Sequence, residues 1–151
     1  MSTQEYPATD GESKPRKFNR VTVAWAGDRR YDVTREGAPP AHLDGAGKAG
    51  PGPVDTLLGA LAACTSIDVV DILAKRRTPL ESLEVDVVGD RAHEIPARLT
   101  NVVLRYRMRG EGVDRVHAER AVELAVTKYC SVRDSLDPSL PITWEIELND
   151  E

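Results

Sequence analysis

Gly52-Pro53-Val54-Asp55-Thr56-Leu57-Leu58-Gly59-Ala60-Leu61-Ala62-Ala63-Cys64-Thr65-Ser66-Ile67-Asp68-Val69-Val70 is the stretch on which the fold turns. Leu57, Leu58, Leu61, Ile67, Val69, Val70, Ile72 and Leu73 recur at helical spacing, which predicts a helix over Val54 to Arg76. Pro53 stands at its threshold, where a missing N–H costs little, and Pro79 lies shortly beyond its end. The first half is apolar or small on all sides, with Gly59, Ala60, Ala62 and Ala63 permitting close packing. Such a helix belongs in the middle of a fold rather than on its surface.

Strand patterns surround it. Before it, Val21, Val23 and Trp25 alternate with Thr22 and Ala24, Gly27-Asp28 signals a turn, and Tyr31 and Val33 resume the alternation. This predicts a β-hairpin. Gly37 to Pro53, rich in glycine and proline, reads as one long loop, and a loop of that length inside a compact domain tends to be functional. After the helix, Leu83, Val85 and Val87 alternate with Glu84 and Asp86. Val102, Leu104, Tyr106 and Met108 alternate with Val103, Arg105, Arg107 and Arg109. Each pattern has one apolar and one largely charged face, as in an antiparallel sheet with a wet side. Asp114 is placed to cap a second helix running to about Ser131, with Ala118, Val122, Ala125 and Tyr129 on one face. Ile142, Trp144, Ile146 and Leu148 form a last strand. The expected order is β-β-α-β-β-α-β, an α+β pattern. Residues 1–17 read as a disordered tail, and 18–151 as one domain.

Composition narrows the function. The 151 residues are 40% hydrophobic, 30% charged and 5% aromatic, with a net charge of −5. That balance suits a soluble globular protein and argues against a broad nucleic-acid surface, which needs clustered Lys and Arg. The apolar run Leu57 to Cys64 is too short to span a bilayer, and no signal-peptide segment opens the chain. No membrane association and a cytoplasmic location are the resulting expectations. The chain has only two cysteines, Cys64 and Cys130. In a reducing compartment such thiols stay reduced unless a redox cycle uses them. His42, His93 and His117 are scattered singly, whereas a zinc site needs about four grouped ligands, so neither a metal nor another cofactor is expected. From composition alone, two inert buried thiols would be the ordinary outcome.

The quoted stretch changes that reading. A Pro, a nearby acidic residue, a Leu-rich segment and then Ala-Ala-Cys64 resemble the first-cysteine helix of the OsmC/Ohr superfamily. Lys128-Tyr129-Cys130-Ser131-Val132 resembles its second-cysteine segment, which follows a helix and precedes a final strand. The likeness covers roughly Val21 to Leu148. It is closest to the subgroup with Cys-Ser/Thr-x-Ile-Asp-Val-Val after the first cysteine. The resemblance implies an intertwined homodimer, with central helices covered by antiparallel sheets. It also implies reduction of organic hydroperoxides, with Cys64 attacking the peroxide and Cys130 resolving the sulfenic acid as a Cys64–Cys130 disulfide. A dithiol reductant, lipoyl groups among the candidates, would regenerate the thiols. A non-catalytic redox-sensing or small-molecule-binding dimer would carry the same two thiols.

Attack by Cys64 requires a thiolate, yet an unperturbed thiol has a pKa of about 8.5. Cys64 lies about ten residues into its helix, on the order of 15 Å, beyond the reach of the helix dipole. A cation must therefore come from elsewhere. In the peroxidase members it is an arginine of the N-terminal hairpin region held by an acid before the first-cysteine helix. Here Arg29, Arg30 and Arg35 are available, with Arg35 the first choice because it opens the loop leading to the helix. The acid is Asp55, where the hydroperoxide-resistance members carry Glu one position earlier, at Val54. At about 100° per residue, Asp68 and Asp71 share the face of Cys64. They are either wet surface carboxylates or, for Asp68, a group that positions the arginine or a polar part of the substrate.

Overall fold

A computed structural model describes residues 14–151. Most of the expected tail, residues 1–13, lies outside the described residues; residues 14–17 carry no regular structure. The chain divides into two compact units, one ending at Gly52 and the other spanning Pro53–Glu151.

The N-terminal unit is a three-stranded antiparallel sheet, β1 (Thr22–Trp25), β2 (Arg30–Thr34) and β3 (Ala41–Asp44), in the order β1-β2-β3. The predicted hairpin is present. Its turn places Gly27 (φ 97) and Asp28 (φ 49) in the left-handed region, which glycine adopts without strain and aspartate tolerates. Register pairs Val23 with Val33 and Trp25 with Tyr31 on one face, and Tyr31 in turn pairs with Leu43. The third strand corrects the expectation of an unbroken loop from Gly37 to Pro53. Asp44 ends that strand, buried, and its carboxylate accepts the backbone N–H groups of Ala46 (2.8 Å), Lys48 (3.2 Å) and Ala49 (2.9 Å). Those N–H groups, Ala49 first, hold its carboxyl below the ordinary aspartate range. The glycine-rich stretch is thus a folded turn organised by one anion.

The C-terminal unit begins with α1 (Pro53–Lys75), close to the predicted bounds. It continues with β4 (Ser82–Arg91), β5 (Leu99–Arg109), α2 (Arg115–Leu124), a π-helical turn (Ala125–Tyr129), α3 (Ser131–Asp134) and β6 (Ile142–Leu148). Strand β5 is central, antiparallel to β4 and parallel to β6. The parallel pair departs from the expected antiparallel sheet. It follows from the long helical connection between β5 and β6, because parallel neighbours need a crossover rather than a tight turn. The second helix is also not the single rod predicted to Ser131, since it widens at Ala125 and breaks at Cys130.

Apolar alternation sorts the two faces of the sheet. Val102, Leu104, Tyr106 and Met108 of β5 are buried against α1 residues Leu61, Val69 and Leu73 and α2 residues Ala118, Ala121 and Val122. On the wet face Arg107 pairs with Glu84 (2.9 Å) and Glu147 (3.8 Å), and Arg105 with Glu145 (3.2 Å).

Asp114 caps α2 as predicted, accepting the backbone N–H of His117 at 2.9 Å. That N–H, and then the imidazole 2.6 Å away, hold its carboxyl below the usual range. A depressed folded-state value stabilises the fold above the unfolded aspartate pKa of about 3.9, and that contribution disappears as pH falls through the lower folded value. The melting-temperature gap between wild type and Asp114→Ala should therefore hold steady from neutral pH to about pH 4 and close below it. A gap that widened in acid would contradict this.

Helix α1 has two faces. Leu61, Ala62, Thr65, Val69 and Leu73 are buried. A second stripe, Leu57, Ala60, Ala63, Ile67, Val70 and Ala74, is apolar yet exposed within one chain. Its steps of three and four residues make a continuous seam along the helix. At 23 residues, with an 18-residue window of mean hydropathy 1.9, α1 is long and apolar enough to cross a membrane by length and composition. Core helices of soluble proteins pass the same test.

Candidate functional site: two thiols and a buried hydroxyl pair

The two thiols come from different parts of the C-terminal unit. Cys64 sits in the middle of α1, half-buried, and packs at the border of the core. Cys130 is buried, just past the π-helical turn. That turn decides where it points. The Cys130 N–H donates to the Ala125 carbonyl, 3.0 Å away and five residues back, the wide spacing of a π-helix. Cys130 itself is extended (φ −73, ψ 108) and caps α3, its Sγ accepting the Arg133 N–H at 3.3 Å. The Arg133 side chain binds the carbonyls of Asp137 (3.1 Å), Pro138 (3.3 Å) and Leu140 (3.2 Å), which fastens the loop before β6.

Cys64 and Cys130 are neighbours close enough for their thiols to interact by hydrogen bond and charge. Burial pushes the Cys130 thiol up to about 11; the Arg133 N–H opposes this and the adjacent Cys64 adds to it. Cys130 therefore rests as a protonated thiol at neutral pH.

Next to Cys64 in the chain begins a pair of buried hydroxyls that sequence reasoning did not single out. Thr65, immediately after Cys64, is fully buried, and its Oγ1 donates to the Ala62 carbonyl at 3.0 Å. The Tyr106 hydroxyl lies 2.6 Å from the same Oγ1. Tyr106 had been legible only as a core residue of β5. Burial pushes its phenol up to about 12; the Thr65 bond opposes that shift, and the charge of a nearby Cys130 thiolate would add to it.

The remaining predicted residues are found in both units. Asp55 is exposed in the first turn of α1. Arg35 is exposed just beyond β2 in the N-terminal unit, with Arg29 in the hairpin turn and Arg30 opening β2. Asp68, one turn after Cys64, is half-buried, and Asp71 is exposed. Among the described residues no group of three or more His, Cys, Asp or Glu could hold a metal ion.

Fold and site together define a class: small α+β proteins that bring two cysteines side by side from two separate helical segments. Residues 45–145 match the family described as OsmC-like protein, and the chain belongs to that family. Protein YhfA of Escherichia coli strain K12 is 35% identical over 107 residues, which cover 70% of this chain and 80% of YhfA. The crystal structure of a hypothetical protein from Aquifex aeolicus VF5 superposes with a TM-score of 0.76 at 24% identity, covering 89% of this chain and 99% of that one. The organic hydroperoxide resistance protein OhrB of Bacillus subtilis superposes with a TM-score of 0.57 at 16% identity, covering 85% and 98%. Both structural likenesses are ones of fold.

Proposed function

We propose that the protein is a cysteine-based peroxidase that reduces organic, lipophilic hydroperoxides. The observation that carries this reading is the juxtaposition of its only two thiols, one half-exposed and the other buried. In the reaction the Cys64 thiolate attacks the distal peroxide oxygen. An S–O bond forms, the O–O bond breaks, and the organic oxygen takes up the proton that Cys64 released on ionising and leaves as the alcohol. Cys64 is then a sulfenic acid. The Cys130 sulfur displaces its hydroxyl, which departs as water with the proton that Cys130 gives up, and the disulfide forms. A dithiol reductant, such as a lipoyl group, returns two electrons by thiol–disulfide exchange.

Arg35 is the cation we assign to activating Cys64, with Asp55 holding it, by resemblance to the peroxidase members. The alanine and leucine residues around Cys64 suit a lipophilic substrate over hydrogen peroxide. The exposed apolar seam of α1 supports a homodimer built around that helix. The net charge of −5 argues against a nucleic-acid partner, and the family likeness favours a cytoplasmic protein.

Mixing the reduced protein with stoichiometric cumene hydroperoxide or hydrogen peroxide, then locating thiol loss by mass spectrometry, tests this reading. Fast Cys64–Cys130 disulfide formation with the organic peroxide is the expected result. Oxidation no faster than that of a free thiol would overturn it.

A further inference from the structure

Cys130 hangs on a short segment with little of its own to hold it. Helix α3 is four residues long and buries none of them. A helix of one turn does not hold itself together in water. The loop that follows carries no helix or strand before β6. Its far end is fixed, because the Val102 N–H of central strand β5 donates to the Pro141 carbonyl at 2.9 Å. Arg133 ties α3 to that end. Its guanidinium donates to the carbonyls of Asp137 (3.1 Å), Pro138 (3.3 Å) and Leu140 (3.2 Å). A rigid planar fork can span several carbonyls in this way, and a point charge cannot. The backbone N–H of the same residue donates to the Cys130 Sγ at 3.3 Å. Arg133 therefore holds the sulfur through its main chain and the loop through its side chain. Helix α1 packs against both the π-helical turn and α3, the two stretches that flank Cys130. Cys64 belongs to α1 and packs on the core cluster that contains Cys130.

We propose that Arg133 is a positioning residue for the resolving step, its guanidinium tying α3 to the loop before β6 and so holding the Cys130 sulfur where Cys64 can meet it. The inference rests on the assignment of Cys130 as the resolving thiol. The effect of Arg133 falls on the second step alone. Cys64 is carried by a 23-residue helix whose buried stripe packs in the core, so attack does not depend on the tie. Without the fork, α3 opens locally while the core stays closed. The Asp137 and Pro138 carbonyls lie at the surface and can turn to water. A sulfur misplaced by about 1 Å resolves up to about a hundredfold more slowly.

A small aromatic disulfide separates the two steps without any peroxide. One equivalent of 4,4′-dithiodipyridine is mixed with the full-length reduced protein. The Cys64 sulfur attacks, a mixed disulfide forms, and the first thiopyridone leaves with the Cys64 proton. The Cys130 sulfur then displaces the second thiopyridone, which takes up the Cys130 proton as the Cys64–Cys130 bond closes. Stopped-flow absorbance should show two phases of equal amplitude, the second independent of reagent concentration. Arg133→Met keeps the side-chain stem and removes the fork. It should slow the second phase by about tenfold to a hundredfold and leave the first within about twofold. Arg133→Lys, which keeps the charge but cannot span three carbonyls, should fall between wild type and Arg133→Met. Mass spectrometry should find the mixed disulfide on Cys64 while the slow phase runs. An Arg133→Met second phase within about twofold of wild type overturns the proposal. So do two phases slowed alike, the mark of general loosening, and an Arg133→Lys rate equal to wild type. A wild type with no second phase removes Cys130 as the resolving thiol and the proposal with it. A wild type that resolves here yet ignores organic peroxides overturns the peroxidase reading alone.

Discussion

Replacing Cys64 by Ser is expected to abolish organic hydroperoxide reduction, by at least about a thousandfold, the scale on which loss of a nucleophile acts. No other thiol is in position to take over. Cys130, the only other cysteine, is buried and protonated, with its Sγ engaged by the Arg133 N–H. Cys130→Ser should behave differently. Its first peroxide is still reduced, but the sulfenic acid on Cys64 has no resolving partner. It should accumulate and be trapped by a dimedone-type reagent at Cys64, as mass spectrometry would show. If Cys64→Ser turned over, or if Cys130→Ser gave no trapped sulfenic acid while losing activity, the two roles would have to be reassigned.

Ile67→Glu is expected to break the proposed homodimer. Ile67 is 64% exposed within one chain, at the middle of the apolar seam formed with Leu57, Ala60, Ala63, Val70 and Ala74. Burying an isoleucine contributes about 1.5–3 kcal/mol, and a two-fold axis counts the residue twice. Loss of about 3–6 kcal/mol raises the dissociation constant between about a hundredfold and ten-thousandfold. Two facing carboxylates would add repulsion. Size-exclusion chromatography with light scattering should show the mass halve at micromolar concentration. The wild-type melting temperature should rise with protein concentration, as for any coupled assembly. A wild type that is already monomeric, or a variant of unchanged mass, would remove α1 as the interface.

What was legible in the sequence had local causes. Pro53 and the apolar spacing from Leu57 to Leu73 mark α1 because a helix repeats every 3.6 residues. Alternation marks β4, β5 and β6, and Asp114 marks the start of α2. What was not legible depends on partners distant in the chain. Strand β3, Ala41–Asp44, is only four residues long, too short for its alternation to stand out after Pro39 and Pro40, and it is recognisable only once paired with β2. The parallel pairing of β6 is a property of the crossover, since Ile142 to Leu148 alternates the same way in either direction. Thr65 looked like an ordinary neighbour of Cys64 and Tyr106 like an ordinary core aromatic. Their meeting is fixed by how α1 packs on β5, and no signal within either segment marks it. The pairing of Cys64 with Cys130 came from family resemblance, because nothing in their spacing states it.

The π-helical turn from Ala125 to Tyr129 has one more consequence. A π turn is an α-helix carrying one extra residue, so it shifts the phase of everything after it by roughly 100°. Cys130 faces the core and its neighbouring thiol because of that added residue, whatever side chains the turn contains. Shortening the segment by one residue would restore regular helical bonding and swing the thiol to another side. Here the placement of a reactive atom is written in the length of the chain and not only in its letters.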